Sequence, residues 1–335
     1  MSFSRDAARA LESGRWDGPI SRVFASALAP LAARGLVRPA VVPADIALVC
    51  VGGATLGGSG KTRVAIACAR ELASRGARVA FVGHAYHAAP PSARVVSTDD
   101  RIEDVGDEAL VSTRALAPSD VPVVVGPTRQ SAIDHAASLE PRPDVLVLDG
   151  PLAVRGRHEG SLSLLAVDAN RPWGSGRLPP AGDLRATREV LLAHADHVVS
   201  VDATPTLVAW KDGAGPAGAW GGVTPLPVAA LRAAHVGLFT AIARPDRLVR
   251  ALAAVGVRPR EIVSVADHRS PEASELTRIR GARVDAWIAT PKCALHLGGA
   301  SLGVPLGILD ADVPLAPELL HALARVRSSS AAQVS

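Results

Sequence analysis

A glycine-rich stretch, Val51 to Thr62 (VGGATLGGSGKT), constrains this chain more than any other feature. It follows an apolar run at 46–50 and precedes a helical pattern at 64–72. Strand, glycine loop and helix in this order form a cradle in which backbone N–H groups and a helix N-terminus bind phosphate. The motif assigns Lys61 to the β/γ-phosphates and the Thr62 hydroxyl to Mg²⁺. The sequence therefore predicts a nucleotide-phosphate site; the alternative is a glycine-rich turn that only ends a strand.

The strict form of this motif, G-x-x-x-x-G-K-[ST], has glycine where this chain has Thr55. The rest of the loop is intact, so we predict that the nucleotide contacts Thr55, Leu56, Gly57, Gly58, Ser59, Gly60, Lys61 and Thr62. Only three of the 36 basic residues are lysine, at positions 61, 211 and 292. Because an ammonium group binds phosphate as a compact point charge, lysine at 61 supports the phosphate role. The same argument suggests a phosphate-facing role for Lys292, with a solvated lysine in a turn as the alternative.

Continuous apolar runs separated by helical stretches predict a buried parallel sheet with helices on both faces, in a P-loop NTPase-like α/β fold. The predicted strands of the first part lie at 46–50, 77–82, 121–125, 144–148, 162–167 and 197–201. A stretch rich in Gly, Pro and Ala near 210–226 then precedes a second alternating segment. We predict a first domain at 1–225, a smaller α/β domain at 226–328 and a frayed tail at 329–335.

Asp149 ends the apolar strand at 144–148, downstream of the glycine loop. A second carboxylate that holds Mg²⁺ belongs at such a position in phosphoryl-transfer proteins. The alternative is an ordinary aspartate that opens the turn Asp149-Gly150-Pro151. A long loop rich in Gly and Pro at 169–184 is also expected to be functional, because loops of this length are rare in compact domains.

Composition excludes several classes of protein. A formal charge of +4 is mildly basic, and aromatic residues make up only 3% of the chain, so a nucleic-acid partner is not expected. The three cysteines lie far apart without a C-x-x-C spacing, which indicates a reducing cytoplasm. There is neither a signal-peptide core nor an apolar run of membrane-spanning length.

The segment Pro19–Leu36 carries an apolar stripe at helical spacing, flanked by arginines. The stripe consists of Ile20, Val23, Phe24, Leu28 and Leu31. A helix of this kind lies in a membrane interface or packs against its own domain, and the pattern does not separate the two.

Several blocks, in one order along nearly the whole chain, resemble the tetraacyldisaccharide 4'-kinase family. The blocks are the loop at 55–62, VGDEA at 105–109, VPVVVG at 121–126, DANRPWGSGRLPPAGDLR at 168–185, AIARPDR at 241–247 and ADH at 266–268. The resemblance implies a lipid kinase that uses ATP and Mg²⁺ to phosphorylate the 4'-hydroxyl of a lipid A disaccharide precursor. It further implies a monomer held by helix 19–36 at the cytoplasmic face of the inner membrane. By resemblance Asp107 is the catalytic base and His268 assists it, with Lys61 as the third catalytic residue and Thr62 and Asp149 as metal ligands.

This chain departs from the family pattern at several positions. The DDGxQH segment is Asp149-Gly-Pro-Leu-Ala-Val154 here, TEKD is Thr290-Pro-Lys-Cys293, and SRGYG at 83–87 keeps only Tyr86. Fewer carboxylates hold a hard cation less well. Two alternatives to an active kinase follow: a diverged member that binds nucleotide or lipid with little transfer, and a regulatory P-loop ATPase. The joint presence of Lys61, Thr62, Asp107, Asp149 and His268 favours the kinase.

Overall fold

The chain divides into two compact units. The computed structural model describes residues 5–85, 88–155, 160–202, 204–210, 225–242, 245–311 and 313–326. The small unit comprises residues 1–9 and 202–312, and the large unit comprises residues 10–201 and 313–335. The domain bounds read from the sequence stay a prediction, and Tyr86 and the tail at 329–335 lie outside the described residues.

A seven-stranded sheet forms the centre of the large unit. The strands of this unit are β1 (Val37–Arg38), β2 (Ala47–Gly53), β3 (Val79–Val82), β4 (Arg94–Val95), β5 (Val123–Val125), β6 (Val145–Gly150), β7 (Ala153–Val154), β8 (Leu162–Asp168) and β9 (His197–Val201). The sheet order is β4-β5-β3-β6-β2-β8-β9, parallel throughout except for β4, whereas β1 and β7 pair separately. All seven residues of β2 are buried, as expected for a central strand covered on both faces.

Helix α1 (Arg5–Ser13) begins in the small unit and ends in the large unit. The large unit also contains helices α2 (Pro19–Leu36), α3 (Lys61–Ser74), α4 (Ile102–Val105), α5 (Asp107–Leu116), α6 (Arg129–Ala137) and α7 (Arg188–Ala193). Helix α3 buries one face, with Val64, Ala65, Cys68 and Leu72 at helical spacing. Helix α6 begins where the Thr128 hydroxyl accepts the N–H of Ser131 at 3.0 Å, which caps a free donor of its first turn.

The small unit is a second α/β layer with its own core. Its elements are β10 (Leu207–Trp210), β11 (Leu226–Pro227), β12 (Val236–Thr240), α8 (Pro245–Ala254), β13 (Glu261–Ser264), α9 (Ala273–Gly281), β14 (Ala286–Ala289), α10 (Pro291–Leu297) and β15 (Leu306–Asp310). The sheet order is β11-β10-β15-β14-β12-β13, in which β10 runs antiparallel to both neighbours and the others are parallel. Leu238 and Phe239 of β12 belong to separate core clusters, so successive side chains fill opposite faces. The last described helix, α11 (Pro317–Ala324), returns to the large unit.

The predicted fold class is confirmed. Two parallel-rich sheets with intervening helices are present, and the strand, glycine loop and helix follow one another as the motif requires. The sequence analysis missed several short elements, among them helix α10, which has seven residues, and strand β10, which pairs with β11 and β15.

Candidate active site

The phosphate loop joins β2 to α3 at the carboxyl edge of the large sheet. Gly60 caps α3 in the left-handed region, with φ of 78°. A Cβ atom at Gly60 would lie 2.6 Å from Cγ1 of Val201, and one at Gly53 would lie 2.1 Å from Oγ of Ser59. Glycine is therefore required at position 60 for its backbone conformation and at both positions for close approach.

Thr55, which departs from the strict motif, has a structural role in the loop. Its side chain is buried, and its hydroxyl donates to the carbonyl oxygen of Gly57 at 2.8 Å. A Cβ atom at Gly174 would lie 2.8 Å from Cγ2 of Thr55, so the methyl group also packs closely against the neighbouring loop. A glycine at position 55 would supply neither contact.

Asp183 of the long loop at 169–184 and Arg185, which follows that loop, hold the first half of the phosphate loop. The N–H of Leu56 donates to the carbonyl of Asp183 at 2.9 Å, and the N–H of Arg185 donates to the carbonyl of Ala54 at 2.9 Å. The guanidinium Nε of Arg185 donates to the carbonyl of Thr55 at 2.9 Å. These contacts fix the backbone that is predicted to contact the nucleotide.

Lys61, Thr62 and Asp149 meet at the start of α3. The pairing of β2 with β6 sets Asp149 opposite Val51, so the aspartate reaches the loop. The Thr62 hydroxyl donates to Oδ2 of Asp149 at 2.7 Å, and Lys61 Nζ lies 3.3 Å from Oδ1 of the same carboxylate. Lys61 Nζ also lies 3.6 Å from Oε2 of Glu108. The structure thus brings together three predicted residues, Lys61 for phosphate and Thr62 and Asp149 for the metal. It adds Glu108, which the sequence did not mark.

The Lys61 ammonium is stabilised by these acids. Burial works most strongly on this group and would lower its pKa, but attraction to Asp149 and Glu108 outweighs burial, so the pKa of Lys61 is raised above its usual value. Lys61 is therefore a full positive charge at neutral pH. A partly buried cation of this kind is suited to an anionic phosphate.

Asp107 is the first residue of α5, and only 1% of it is exposed. An acidic side chain in the first turn of a helix is favoured by the partial positive charge of the helix N-terminus. Asp107 precedes Glu108, which contacts Lys61, so α5 carries the predicted base into the neighbourhood of the phosphate loop.

Two arginines that the sequence reading did not single out also lie in this neighbourhood. Burial is the largest influence on both and lowers the pKa of Arg129 and of Arg185, while attraction to Asp149 acts in the opposite direction. Nη1 of Arg129 is buried without a hydrogen-bond partner among the described residues. The pKa of His84 is also lowered, first by burial and then by repulsion from Arg129. Partly buried cations in excess of nearby carboxylates are suited to an anionic occupant.

Gly150 stands where the family motif has its second aspartate. Its φ is +116°, a backbone conformation that side chains rarely adopt, and a Cβ atom here would lie 3.2 Å from Nη2 of Arg129. Glycine at position 150 therefore fits the local backbone conformation and leaves room for the guanidinium of Arg129.

The remaining predicted residue, His268, belongs to the small unit, together with Lys292. Its Nε2 lies 3.4 Å from Nζ of Lys292 and 3.5 Å from Oδ2 of Asp267. Its pairing with Asp107 of the large unit stays a prediction.

Helix α2 spans Pro19–Leu36, as the sequence predicted, and leaves its apolar stripe exposed. The stripe residues are exposed by 44% at Leu28 to 75% at Ile20. The helix packs instead through small residues, among which Ala25 is buried against Leu178 and Ala181. Within the described residues, no helix has both the length and the apolarity needed to cross a membrane.

The fold and the loop define the class: the large unit has the architecture of the P-loop NTPases. A family model for tetraacyldisaccharide-1-P 4'-kinase matches residues 19–325. The chain belongs to the tetraacyldisaccharide 4'-kinase family.

Individual relatives support this assignment. The tetraacyldisaccharide 4'-kinase of Methylobacterium sp. (strain 4-46) is 33% identical over 324 residues, which cover 92% of this chain and 93% of the relative. The enzyme of the same name from Anaeromyxobacter dehalogenans (strain 2CP-C) is 31% identical, with coverage of 84% and 81%. The fold is similar to that of LpxK from Aquifex aeolicus, crystallised in complex with ATP, with a TM-score of 0.61, 22% identity and coverage of 96% and 99%.

Proposed function

We propose that this chain transfers the γ-phosphate of ATP to the 4'-hydroxyl of tetraacyldisaccharide 1-phosphate in lipid A biosynthesis. Family membership supports this reaction. The main support from the structure is the contact of Lys61 and Thr62 with Asp149 at the start of α3. Phosphoryl transfer needs mainly positioning, neutralisation of charge and a base for the attacking hydroxyl. The described residues offer groups for each requirement.

The phosphates of ATP are proposed to lie on the backbone of residues 55–62, with Lys61 at the β/γ-phosphates. The left-handed glycines and the N-terminus of α3 orient N–H donors toward an anion at this place. Arg129 and Arg185 add positive charge, which favours the transition state because its oxygens carry distributed negative charge.

Mg²⁺ is proposed to be held by Thr62 and Asp149. The hydroxyl and the carboxylate lie 2.7 Å apart, and Oδ1 of Asp149 is buried beside the Lys61 ammonium, so oxygen ligands of the type that Mg²⁺ prefers are in place. When bound, the ion neutralises charge on the β- and γ-phosphates. Asp149 otherwise fixes the Thr62 hydroxyl and the Lys61 ammonium.

The base is proposed to be Asp107, assisted by His268. A carboxylate and an imidazole form a sensible pair, since one group removes the proton of the sugar hydroxyl and the other orients or shares it. Asp107 is buried in the first turn of α5, which keeps a defined position for the accepting oxygen.

Helix α2 is proposed to lie in the membrane interface, at the cytoplasmic face of the inner membrane. An acceptor with four acyl chains resides in a bilayer, and the exposed stripe from Ile20 to Leu31 provides an apolar face of the kind that enters the headgroup region. Arg22 and Arg34 flank this stripe and suit anionic lipids.

We further propose that the chain acts at the membrane as a monomer. The family match and the named relatives do not favour the two alternatives, a diverged member with little transfer or a regulatory P-loop ATPase.

The test is transfer of labelled γ-phosphate from ATP to tetraacyldisaccharide 1-phosphate in detergent micelles. We expect product from the unmodified chain and a loss of at least about 100-fold in Lys61→Ala and Asp107→Ala, since general bases and charge stabilisation each contribute on that order. Arg278→Met, an exposed cation removed from the small unit, serves as the control and should retain activity. Nucleotide binding without product would show a diverged binding protein.

A further inference from the structure

The first turn of α10 holds a lysine where helix electrostatics oppose it. Thr290 is the N-cap, Pro291 is the first helical residue and Lys292 the second. The partial positive charge of a helix N-terminus disfavours a cation in this turn. Lysine is also scarce in this chain, with three among 36 basic residues. An ammonium group at this position therefore needs a specific partner.

One partner of Lys292 in the small unit is the ring of His268. Nζ of Lys292 lies 3.4 Å from Nε2 of His268 in hydrogen-bonding orientation. An ammonium group has three donors and no acceptor, so a hydrogen bond between these atoms requires an unprotonated Nε2. A neutral ring of this kind carries its proton on Nδ1. Asp267 favours the opposite tautomer, in which Nε2 carries the proton, because its Oδ2 lies 3.5 Å from Nε2 and can only accept a hydrogen bond.

Hydrogen bonds connect both His268 and the start of α10 to one buried residue, Ala241, which follows β12. The N–H of His268 donates to the Ala241 carbonyl at 3.3 Å, and the Ala241 N–H donates to Sγ of Cys293 at 3.2 Å. Cys293 follows Lys292 and donates its own N–H to the Thr290 hydroxyl at 3.3 Å. Burial raises the pKa of the Cys293 thiol, so it remains a neutral acceptor. One short frame thus holds the lysine and the histidine at a fixed separation.

The backbone of His268 is itself held in an uncommon conformation. Its φ is +59°, in the left-handed region that residues other than glycine seldom adopt. Such a conformation persists only where the surrounding structure determines it, and it is concentrated at functional sites. Only 14% of the His268 side chain is exposed.

We propose that Lys292 is a positioning residue that fixes the ring of His268 as the neutral tautomer with the proton on Nδ1. The lone pair of Nε2 is thereby occupied by the Lys292 ammonium, and Nδ1–H is kept for donation to a carboxylate. The role of Lys292 in turnover rests on the proposed function of His268, whereas the tautomer itself is a property of the small unit and can be measured without a reaction.

The test is nitrogen NMR of the full chain with ¹⁵N-labelled histidine, at about pH 7.5, roughly one unit above the ordinary histidine pKa. A His268→Asn variant identifies the ring signals. We expect a protonated Nδ1 and an unprotonated Nε2 in the unmodified chain and in Lys292→Arg, which also only donates. In Lys292→Met we expect Nε2 to become the protonated nitrogen, with Asp267 as its acceptor. A protonated Nε2 in the unmodified chain, or no change in Lys292→Met, would overturn the proposal.

A kinetic measurement separates positioning from folding. A general base contributes 10²–10⁴-fold, so a misoriented ring should lower kcat by on the order of 10- to 100-fold in Lys292→Met, with partial recovery in Lys292→Arg. KM for ATP should be unchanged, and Arg278→Met should behave as the unmodified chain. A fall in kcat with an unchanged tautomer would refute the positioning role of Lys292. If neither the unmodified chain nor any variant shows transfer, the proposed function fails. The tautomer measurement still tests whether Lys292 fixes the ring of His268.

Discussion

Restoring the strict glycine at position 55 should weaken the phosphate loop. Thr55 is buried, its hydroxyl donates to Gly57 O at 2.8 Å, and its methyl group packs beside Gly174. The substitution Thr55→Gly removes both contacts and adds backbone freedom to the unfolded chain. The Thr55→Gly variant, whose loop matches the strict motif, should therefore be less stable than the unmodified protein.

The magnitude follows from three contributions. An intramolecular hydrogen bond is worth about 1 kcal/mol. Burial of the methyl group adds about 0.8 kcal/mol. The backbone entropy of glycine costs ~0.5–1 kcal/mol. Together these give a loss of about 2–3 kcal/mol, which lowers the Tm of a unit of this size by roughly 5–10 °C.

Two matched variants separate the contributions. Thr55→Ser keeps the hydroxyl and should lose about 1 kcal/mol, mainly from the methyl group. Thr55→Val keeps the shape and should lose about 1 kcal/mol, mainly from the hydrogen bond. The assay is thermal unfolding of the nucleotide-free protein, followed by titration with ATP. A Tm for Thr55→Gly within about 2 °C of the unmodified protein, or tighter ATP binding, would refute the structural role of Thr55.

Three further predictions concern other parts of the molecule. Phe24→Glu should weaken binding to anionic lipid vesicles at least about tenfold in a flotation assay, because burial of a Phe side chain is worth ~1.5–3 kcal/mol; Leu192→Glu, on another helix, is the control, and equal losses would contradict the membrane role of α2. Gly150→Asp should destabilise the large unit in urea unfolding by about 1–3 kcal/mol, since φ is +116° and the new Cβ atom would crowd Nη2 of Arg129. Unchanged stability would refute the backbone argument. Burial raises the pKa of the Cys68 thiol to about 12, so a thiol reagent at about pH 8 should modify it only on unfolding, and rapid labelling of the folded chain would contradict its burial.

The local part of the site was predictable from the sequence because the motif is local. Strand, loop and helix occupy consecutive residues, and parallel pairing of β6 beside β2 then places Asp149 at the same sheet edge. The amphipathic spacing of α2 was equally visible, but its orientation was not, because periodicity does not reveal which surface covers an apolar face. The structure shows the stripe exposed, Ala25 buried, and Ala29 and Ala32 partly buried against the same cluster.

The arginines of the site were not predictable by the same means. Arg129 and Arg185 reach Asp149 from distant segments, and arginine is common throughout this chain, so neither spacing nor scarcity marks them. Lysine scarcity did mark Lys61 and Lys292, although the structure places the latter beside His268. The short helix α10 carried a signal that was overlooked, since threonine followed by proline is typical of a helix start.

The central claim is tested most directly by the position of the new phosphate. The chain is incubated with ATP and tetraacyldisaccharide 1-phosphate in micelles, and the lipid product is analysed by phosphorus and proton NMR. We expect a second phosphate on the 4'-oxygen, formed by the unmodified protein and not by Lys61→Ala. A lipid that stays unphosphorylated while ATP binds, or a phosphate on another hydroxyl, would contradict it.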